Sequence, residues 1–276
     1  MKLAYLGPPG TFGEEAALRY GAQFDEGFEL TPFPSHAAVA AAVESGRADA
    51  GVVAIENSIN GSVAETLDIL IHETALQIQA ELVLPIELNL LAQPGTRLQD
   101  VAVVYSHPQP LGQSRHFLER VLPAAQPEAA LSTAEAVTMA MRRSGDAAAI
   151  GTLRAAELAG AEVLARGIQD TENNVTRFLV LGASSPPPTG RDRTSIAFTF
   201  AEDHPGALAG ILDVFAAAGI SCSKIESRPT KEAFGEYVFL VDFQGHKDDA
   251  AGQRVLAAIR PQCAMLKVFG SYPRFS

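Results

Sequence analysis

Ala183-Ser184-Ser185-Pro186-Pro187-Pro188-Thr189-Gly190-Arg191-Asp192-Arg193 divides the chain. Three consecutive prolines withdraw three backbone donors and hold φ at about −65°, so neither a helix nor a central strand continues through them. The stretch is read as a linker over 183–193, which leaves a first domain over 1–182 and a second over 194–276. Downstream of it, Ile196, Phe198 and Phe200 alternate with Ala197 and Thr199, the period of a half-buried strand. Leu208, Ile211, Leu212 and Phe215 then fall on one helical face, and Gly219 suits that helix's end. Strands over 220–228 and 236–244, a helix over 248–259 and a strand over 263–269 complete a β-α-β-β-α-β order, the ferredoxin-like unit.

Upstream of the linker, short β-rich runs alternate with helical patterns. Strands are expected at 3–6, 28–33 and 51–55, with a helix over 12–20 and an Ala-rich helix capped by Ser35 and ending near Gly46. Ser62 is expected to cap a helix carrying Val63, Leu67, Leu70 and Ile71. An extended run over 76–93 interrupts the rhythm. It resumes with strand 101–105, helices 110–121 and 133–144, strand 147–151, helix 152–159 and strand 175–181. Such alternation implies a mostly parallel sheet flanked by helices. One long extended crossing between two α/β runs implies two lobes facing each other across a cleft, one of about 1–78 with 165–182 and one of 79–164.

Composition narrows the class of partner. Of 276 residues, 47% are hydrophobic and 19% charged, and the formal charge is −11. That balance builds cores rather than disorder. It argues against nucleic acid, which needs a clustered basic surface. The longest apolar stretch, 37–43, is far short of the roughly 20 residues a membrane-spanning helix needs. No signal-peptide hydrophobic run follows Lys2, and Cys222 and Cys263 are too few for a disulfide framework, so a cytoplasmic setting is expected. The histidines at 36, 72, 107, 116, 204 and 246 show no metal-ligand spacing. Neither a dinucleotide fingerprint nor a nucleophile elbow is present, so no metal or cofactor is expected.

Four segments could carry chemistry. Gly7-Pro8-Pro9-Gly10-Thr11-Phe12 lies between a strand and a helix, where free N–H groups and the Thr11 hydroxyl could hold an anion. Equally, it is a βα turn with Thr11 as N-cap. Glu56-Asn57-Ser58 ends a buried strand, where ligands sit in open α/β sheets, and it also reads as a polar turn. Ser106-His107-Pro108-Gln109 follows another apolar strand, with Gln113 and His116 on the next helix. His107 beside a proline reads as structural, and Ser106 and Gln113 make the better neutral donors. In Asn173-Asn174-Val175-Thr176-Arg177-Phe178, a regular strand would point Thr176 and Arg177 to opposite faces. The bland alternative is an exposed strand start with a solvated arginine.

Together these segments resemble the prephenate dehydratase family, and the resemblance covers nearly the whole chain. Gly206-Ala207-Leu208 and Glu226-Ser227-Arg228-Pro229 resemble the phenylalanine-binding motifs of an ACT regulatory domain. The resemblance implies an α/β fold with a two-lobed catalytic domain like that of a periplasmic binding protein, plus a ferredoxin-like ACT domain. It implies decarboxylation and dehydration of prephenate to phenylpyruvate, under feedback by L-phenylalanine. Thr176 takes the role of proton donor to the leaving hydroxyl, with Arg177 and Phe178 holding substrate. Thr11, Asn57, Ser58, Ser106, Gln113 and Asn174 match substrate-binding positions, and Glu56 a position that orders its loop. The effector positions are Gly206, Ala207, Leu208, Ser221, Glu226, Ser227, Arg228 and Pro229, with Ser221 standing where asparagine is typical. Ser114 stands where cysteine is frequent. ACT modules pair side by side, which implies a homodimer or homotetramer. Two alternatives remain open: an arogenate dehydratase, or an amino-acid-binding sensor without catalysis.

Overall fold

Strand β1 (Lys2–Leu6) opens a sheet in the computed structural model, which describes residues 1–143, 145–231 and 235–275. Residue 144 of the expected helix 133–144, and residues 232–234 and 276 of the expected segment 194–276, lie outside the described residues. After β1 come α1 (Phe12–Gly21), β2 (Glu29–Phe33), α2 (His36–Glu44) and β3 (Ala50–Asn57), and both β2 and β3 pair with β1 in parallel. Ser35 caps α2 by accepting the Ala38 N–H at 3.1 Å.

After β3 the chain doubles back on itself. Residues 61–62 form a short strand, β4 (Gly61–Ser62), antiparallel to β3, with Ser62 opposite Glu56. The Val63 N–H donates to the Ile55 carbonyl at 2.8 Å, which keeps the backbone extended past Ser62. Helix α3 (Ala64–Asp68) begins one residue after Val63 and passes into a π-helical turn over Ile69–Glu73. The extended run splits into β5 (Gln77–Pro85) and β6 (Asn89–Ala92). Between them Ile86 and Leu88 give their N–H groups to Asn174 O and Gln169 Oε1.

A second sheet takes β6, β7 (Val103–Ser106), β8 (Gln126–Ala129), β9 (Ala147–Gly151) and β10 (Glu162–Ala165), in the order β10-β6-β9-β7-β8. Its helices are α4 (Pro108–Gln113), α5 (Arg115–Val121), α6 (Thr133–Arg142) and α7 (Leu153–Ala159). Strands β8 and β10 end the sheet, and all four residues of β8 are exposed, so they lack the alternation that marks a strand in sequence. Strand β11 (Val175–Gly182) returns to the first sheet, giving β2-β1-β3-β11-β5. This is the expected two-lobed α/β arrangement.

The helix expected over 110–121 breaks at Ser114, whose side chain is fully buried and whose Oγ has no hydrogen-bond partner. Its backbone is satisfied: the N–H donates to Pro110 O at 3.0 Å and the carbonyl accepts Leu118 N–H at 3.0 Å. Only the hydroxyl is stranded, and a sulfhydryl loses less on desolvation. Ser114→Cys is expected to raise stability by about 1 kcal/mol. That corresponds to a Tm increase of roughly 2–4 °C; a lower Tm would show that the slot rejects the larger atom.

Residues 1–66 and 82–178 form one compact unit, and residues 67–81 and 179–276 a second. In the second, no helix or strand occupies 183–191. Strand β12 (Asp192–Phe200), α8 (Ala207–Ala217), β13 (Cys222–Pro229), β14 (Tyr237–Gln244), α9 (Ala250–Ile259) and β15 (Cys263–Pro273) follow. The sheet is antiparallel in the order β13-β14-β12-β15, the ferredoxin-like topology, over a core of Ile196, Phe198, Ile211, Phe215, Phe243 and Val255. Segment 67–81 is fastened to this module: Lys267 Nζ donates to Ile71 O and Thr74 O at 3.1 and 2.8 Å, and Arg193 pairs with Glu81. No helix among the described residues is long and apolar enough to cross a membrane.

Candidate active site

Asn57, the last residue of β3, organises the site. Its Oδ1 accepts the N–H groups of Ile59 and Asn60 at 3.1 and 3.0 Å, which turns the chain back toward β4. The amide nitrogen is thereby aimed at the start of β11. It donates to Asn174 Oδ1 at 2.8 Å, Thr176 Oγ1 at 3.0 Å and the Val175 carbonyl at 3.2 Å. Ser58 stitches the same two segments, donating to Asn173 O and accepting from Val175 N–H, both at 3.0 Å.

The network crosses to the second lobe. Asn174 Nδ2 donates to Gln113 Oε1 at 3.0 Å, and the amides of Gln109 and Gln113 both donate to Asn60 Oδ1 at 2.7 Å. A second crossing lies at the glycine-rich loop, where Thr152 Oγ1 donates to Gly10 O at 2.8 Å. Gly10 has φ +88°, and a Cβ there would stand 3.0 Å from Ala155, so this approach of loop to helix requires glycine.

These crossings border a cavity of about 1320 Å³ in the first unit. Thr11, Asn57, Gln113, Thr176 and Phe178 line it, as does His107. Strand alternation decides the Thr-Arg-Phe triplet: Thr176 and Phe178 belong to the cavity wall and Arg177 does not. The guanidinium of Arg177 stands 3.9 Å from the Glu56 carboxylate instead. Arg177 is thus absent from the residues that line the cavity, as expected for a neighbour of Thr176 on a regular strand.

Other expected donors are spent elsewhere. Ser106 is fully buried and donates to Ile150 O at 2.8 Å, outside the cavity wall. Ser58 and Asn174 also lie off the wall and hold the loops that carry Asn57 and Thr176. Glu56 is paired with Ser62 of β4 and approached by Arg177. In the glycine loop, the Gly10 N–H is taken by the buried Glu14 carboxylate at 2.6 Å, and the Thr11 hydroxyl faces Pro8 O and Leu6 O at 3.0 and 3.2 Å. Within the loop, Glu14 thus occupies the Gly10 donor from inside the fold.

Charge in the cavity comes from elsewhere. The first turns of α1, α2 and α6 contribute Phe12, His36 and Thr133 to its wall, so three helices of nine or ten residues present their positive ends. Among the described lining residues Arg142 is the single lysine or arginine, and Glu65 and Glu135 oppose it. None of His36, Thr133 or Arg142 stands out in sequence, because each belongs to an ordinary amphipathic helix. Among the described residues, no group of three or more His, Cys, Asp or Glu is placed to hold a metal ion.

The effector-motif residues occupy the C-terminal module. Gly206 caps α8 with φ +92°, a left-handed conformation that favours glycine, and Ala207 behind it is buried. Ser221 precedes β13 and accepts Gln244 N–H at 2.9 Å. Along β13, Glu226 and Arg228 are half-buried while Ser227 and Pro229 are exposed. The Arg228 guanidinium donates to Asp68 at 3.0 Å, so it is engaged by a carboxylate of this chain. At Asp68 burial works upward, but the Lys231 hydrogen bond and the charges of Arg228 and Lys231 hold its carboxyl below the usual range.

Residues 3–186 match the sequence model of the family described as prephenate dehydratase, and residues 194–261 that of the ACT domain. The chain is 42% identical over 274 residues to a bifunctional chorismate mutase/prephenate dehydratase of Aquifex aeolicus, covering 99% of this chain and 74% of the relative. To the prephenate dehydratase of Mycobacterium tuberculosis it is 40% identical over 281 residues, covering 99% and 87%. A crystal structure of prephenate dehydratase from Arthrobacter aurescens in complex with L-Phe superposes with a TM-score of 0.90 at 35% identity, covering 99% of this chain and 90% of that one. The chain belongs to the prephenate dehydratase family, with an ACT domain over residues 194–261.

Proposed function

We propose that the protein converts prephenate to phenylpyruvate, carbon dioxide and water. The dianion takes up one proton. The bond from ring to carboxylate breaks, its electron pair enters the ring, and the ring hydroxyl departs as hydroxide that is protonated to water. Aromatisation drives the reaction, so the site needs orientation and a proton donor rather than a strong base. The observation that carries this reading is the bond from Asn57 Nδ2 to Thr176 Oγ1 at 3.0 Å. With Asn57 as donor to that oxygen, the hydroxyl keeps its own hydrogen for a group in the cavity, whose wall Thr176 lines. There it can be delivered to the departing hydroxide and restored from solvent. General-acid help of this kind is worth roughly 10²–10⁴-fold.

The positive ends of three helices, with Arg142, offset the substrate's charge in a chain of net charge −11. Phe178 supplies an apolar wall for the ring. Arg177 acts on the site indirectly in this reading, by ordering Glu56 and the turn after it.

Regulation is proposed through L-phenylalanine at the ACT domain, with Gly206–Leu208, Ser221 and Glu226–Pro229 as the effector-facing residues. The relative from Arthrobacter aurescens, solved with L-Phe, supports this. Pairing of two copies into a homodimer or larger homo-oligomer is supported by β13, which ends its sheet, and by Ile225 and Tyr237, exposed by 47% and 48%. A cytoplasmic biosynthetic setting is proposed with it.

The test is to mix purified protein with prephenate and follow phenylpyruvate absorbance, with and without L-phenylalanine. Saturable formation that phenylalanine depresses is expected. Turnover of arogenate but not prephenate, or binding of amino acid with no turnover of either, would overturn the reading.

A further inference from the structure

His36 is the first residue of α2, behind the Ser35 cap. Its ring is buried by the fold, at 5% exposure, and yet it belongs to the wall of the cavity that holds Thr176. Nδ1 is sealed from solvent and has no hydrogen-bond partner. Burying a polar nitrogen unpaired is costly, and the alanines and valine around it on α2 would fill the same face without that cost. Nε2, the ring's other polar atom, is not sealed in this way.

Protonation is set by the same geometry. An unpaired buried acceptor is tolerated better than an unpaired buried N–H, so the tautomer that fits leaves Nδ1 bare and puts the hydrogen on Nε2. Burial lowers the ring's pKa, with Glu65 pulling the other way, and the imidazole is neutral at neutral pH. It therefore adds a donor to the wall without adding a charge. The donor stands at the positive end of α2, in a cavity whose wall also carries the Glu65 and Glu135 carboxylates.

We infer that His36 is a substrate-binding residue, its Nε2–H donating to a carboxylate oxygen of the molecule in the cavity. This rests on the prephenate reading, since it requires an anionic substrate. It adds a contact from the first lobe at a residue type and position outside the motifs that mark the family in sequence.

The experiment is steady-state kinetics with prephenate on His36→Leu, His36→Gln and His36→Asn, with thermal melting of each. A glutamine amide reaches the place of Nε2; asparagine reaches only that of Nδ1; leucine fills the space with no donor. Loss of a hydrogen bond to a charged group is expected to raise KM by about 10–100-fold for leucine. Its kcat should stay within about threefold and its Tm at or above wild type, because the unpaired nitrogen has gone. Glutamine should keep KM within about threefold of wild type, and asparagine should behave as leucine does. A wild-type KM for His36→Leu overturns the inference. So does equal KM for glutamine and asparagine, a comparison that stands even if the leucine variant fails to fold. Wild-type protein that does not consume prephenate overturns the function itself, before any variant is compared.

Discussion

Thr176→Ala is expected to lower kcat with prephenate by roughly 10²–10³-fold. Its stability should scarcely move. The hydroxyl is one of three acceptors for Asn57 Nδ2, and after truncation the amide keeps Asn174 Oδ1 at 2.8 Å and the Val175 carbonyl at 3.2 Å. An amide with two hydrogens and two remaining acceptors strands nothing, so the Tm is expected to stay within about 3 °C of wild type. Thr176→Ser keeps the donor but loses the methyl that restricts its rotamer, and should retain turnover within about tenfold. Parallel measurement of phenylpyruvate formation and thermal melting separates the cases. Turnover within threefold of wild type for the alanine variant would remove Thr176 from the chemistry.

Asn57→Asp is expected to do more damage than its isosteric shape suggests. One carboxylate oxygen can still accept from Ile59 and Asn60, so the turn survives. The other would face three acceptors in a site only 8% exposed. The Thr176 hydroxyl would then rotate to donate to the new carboxylate, and the hydrogen needed by the leaving group would be captured. A loss of about 10³-fold in kcat is expected, from removal of a donor combined with misdirection of the proton. Stability should fall by about 2–4 kcal/mol at neutral pH, the cost of an unpaired buried charge and stranded acceptors.

The pH dependence has a definite sign. Burial among acceptors raises the new carboxyl's pKa in the folded state above its unfolded value of about 3.9. Between those values the folded state binds more protons, so the penalty grows as pH rises above about 4 and shrinks as pH falls toward it. Melting curves of variant and wild type across that range check this directly. A Tm deficit independent of pH would place the damage elsewhere.

How the loops divide their labour is a matter of distance along the chain. Asn57 and Thr176 are 119 residues apart, and Ser58 and Val175 are 117 apart. Each looks like a spare donor until its partner arrives. Ser106 has the same chemical credentials as Thr176, yet its hydroxyl is consumed by a neighbouring strand through Ile150 O. Arg177 has the charge a dianion calls for, but the strand's alternation turns it toward Glu56. Truncation at the linker looks, from the prolines, like a clean way to isolate the first domain. The packing of 67–81 with 179–276 makes it a disruptive one, because that segment would lose the Lys267 and Arg193 contacts that hold it.

Short-range rules were enough to read the period of most strands, the Ser35 cap, the proline stop before the ferredoxin-like module, and the motifs that mark the family. Long-range packing chose which polar side chains face the cavity and which are spent holding it together. The same packing made Glu14 the partner of Gly10, bridged the lobes through Asn60 and Gln113, and left His36 Nδ1 sealed and unpaired. A hydroxyl, amide or imidazole advertises a capacity to bond, and that capacity is satisfied or left open by groups distant in the chain, about 120 residues away for Asn57 and Thr176, which no local pattern encodes.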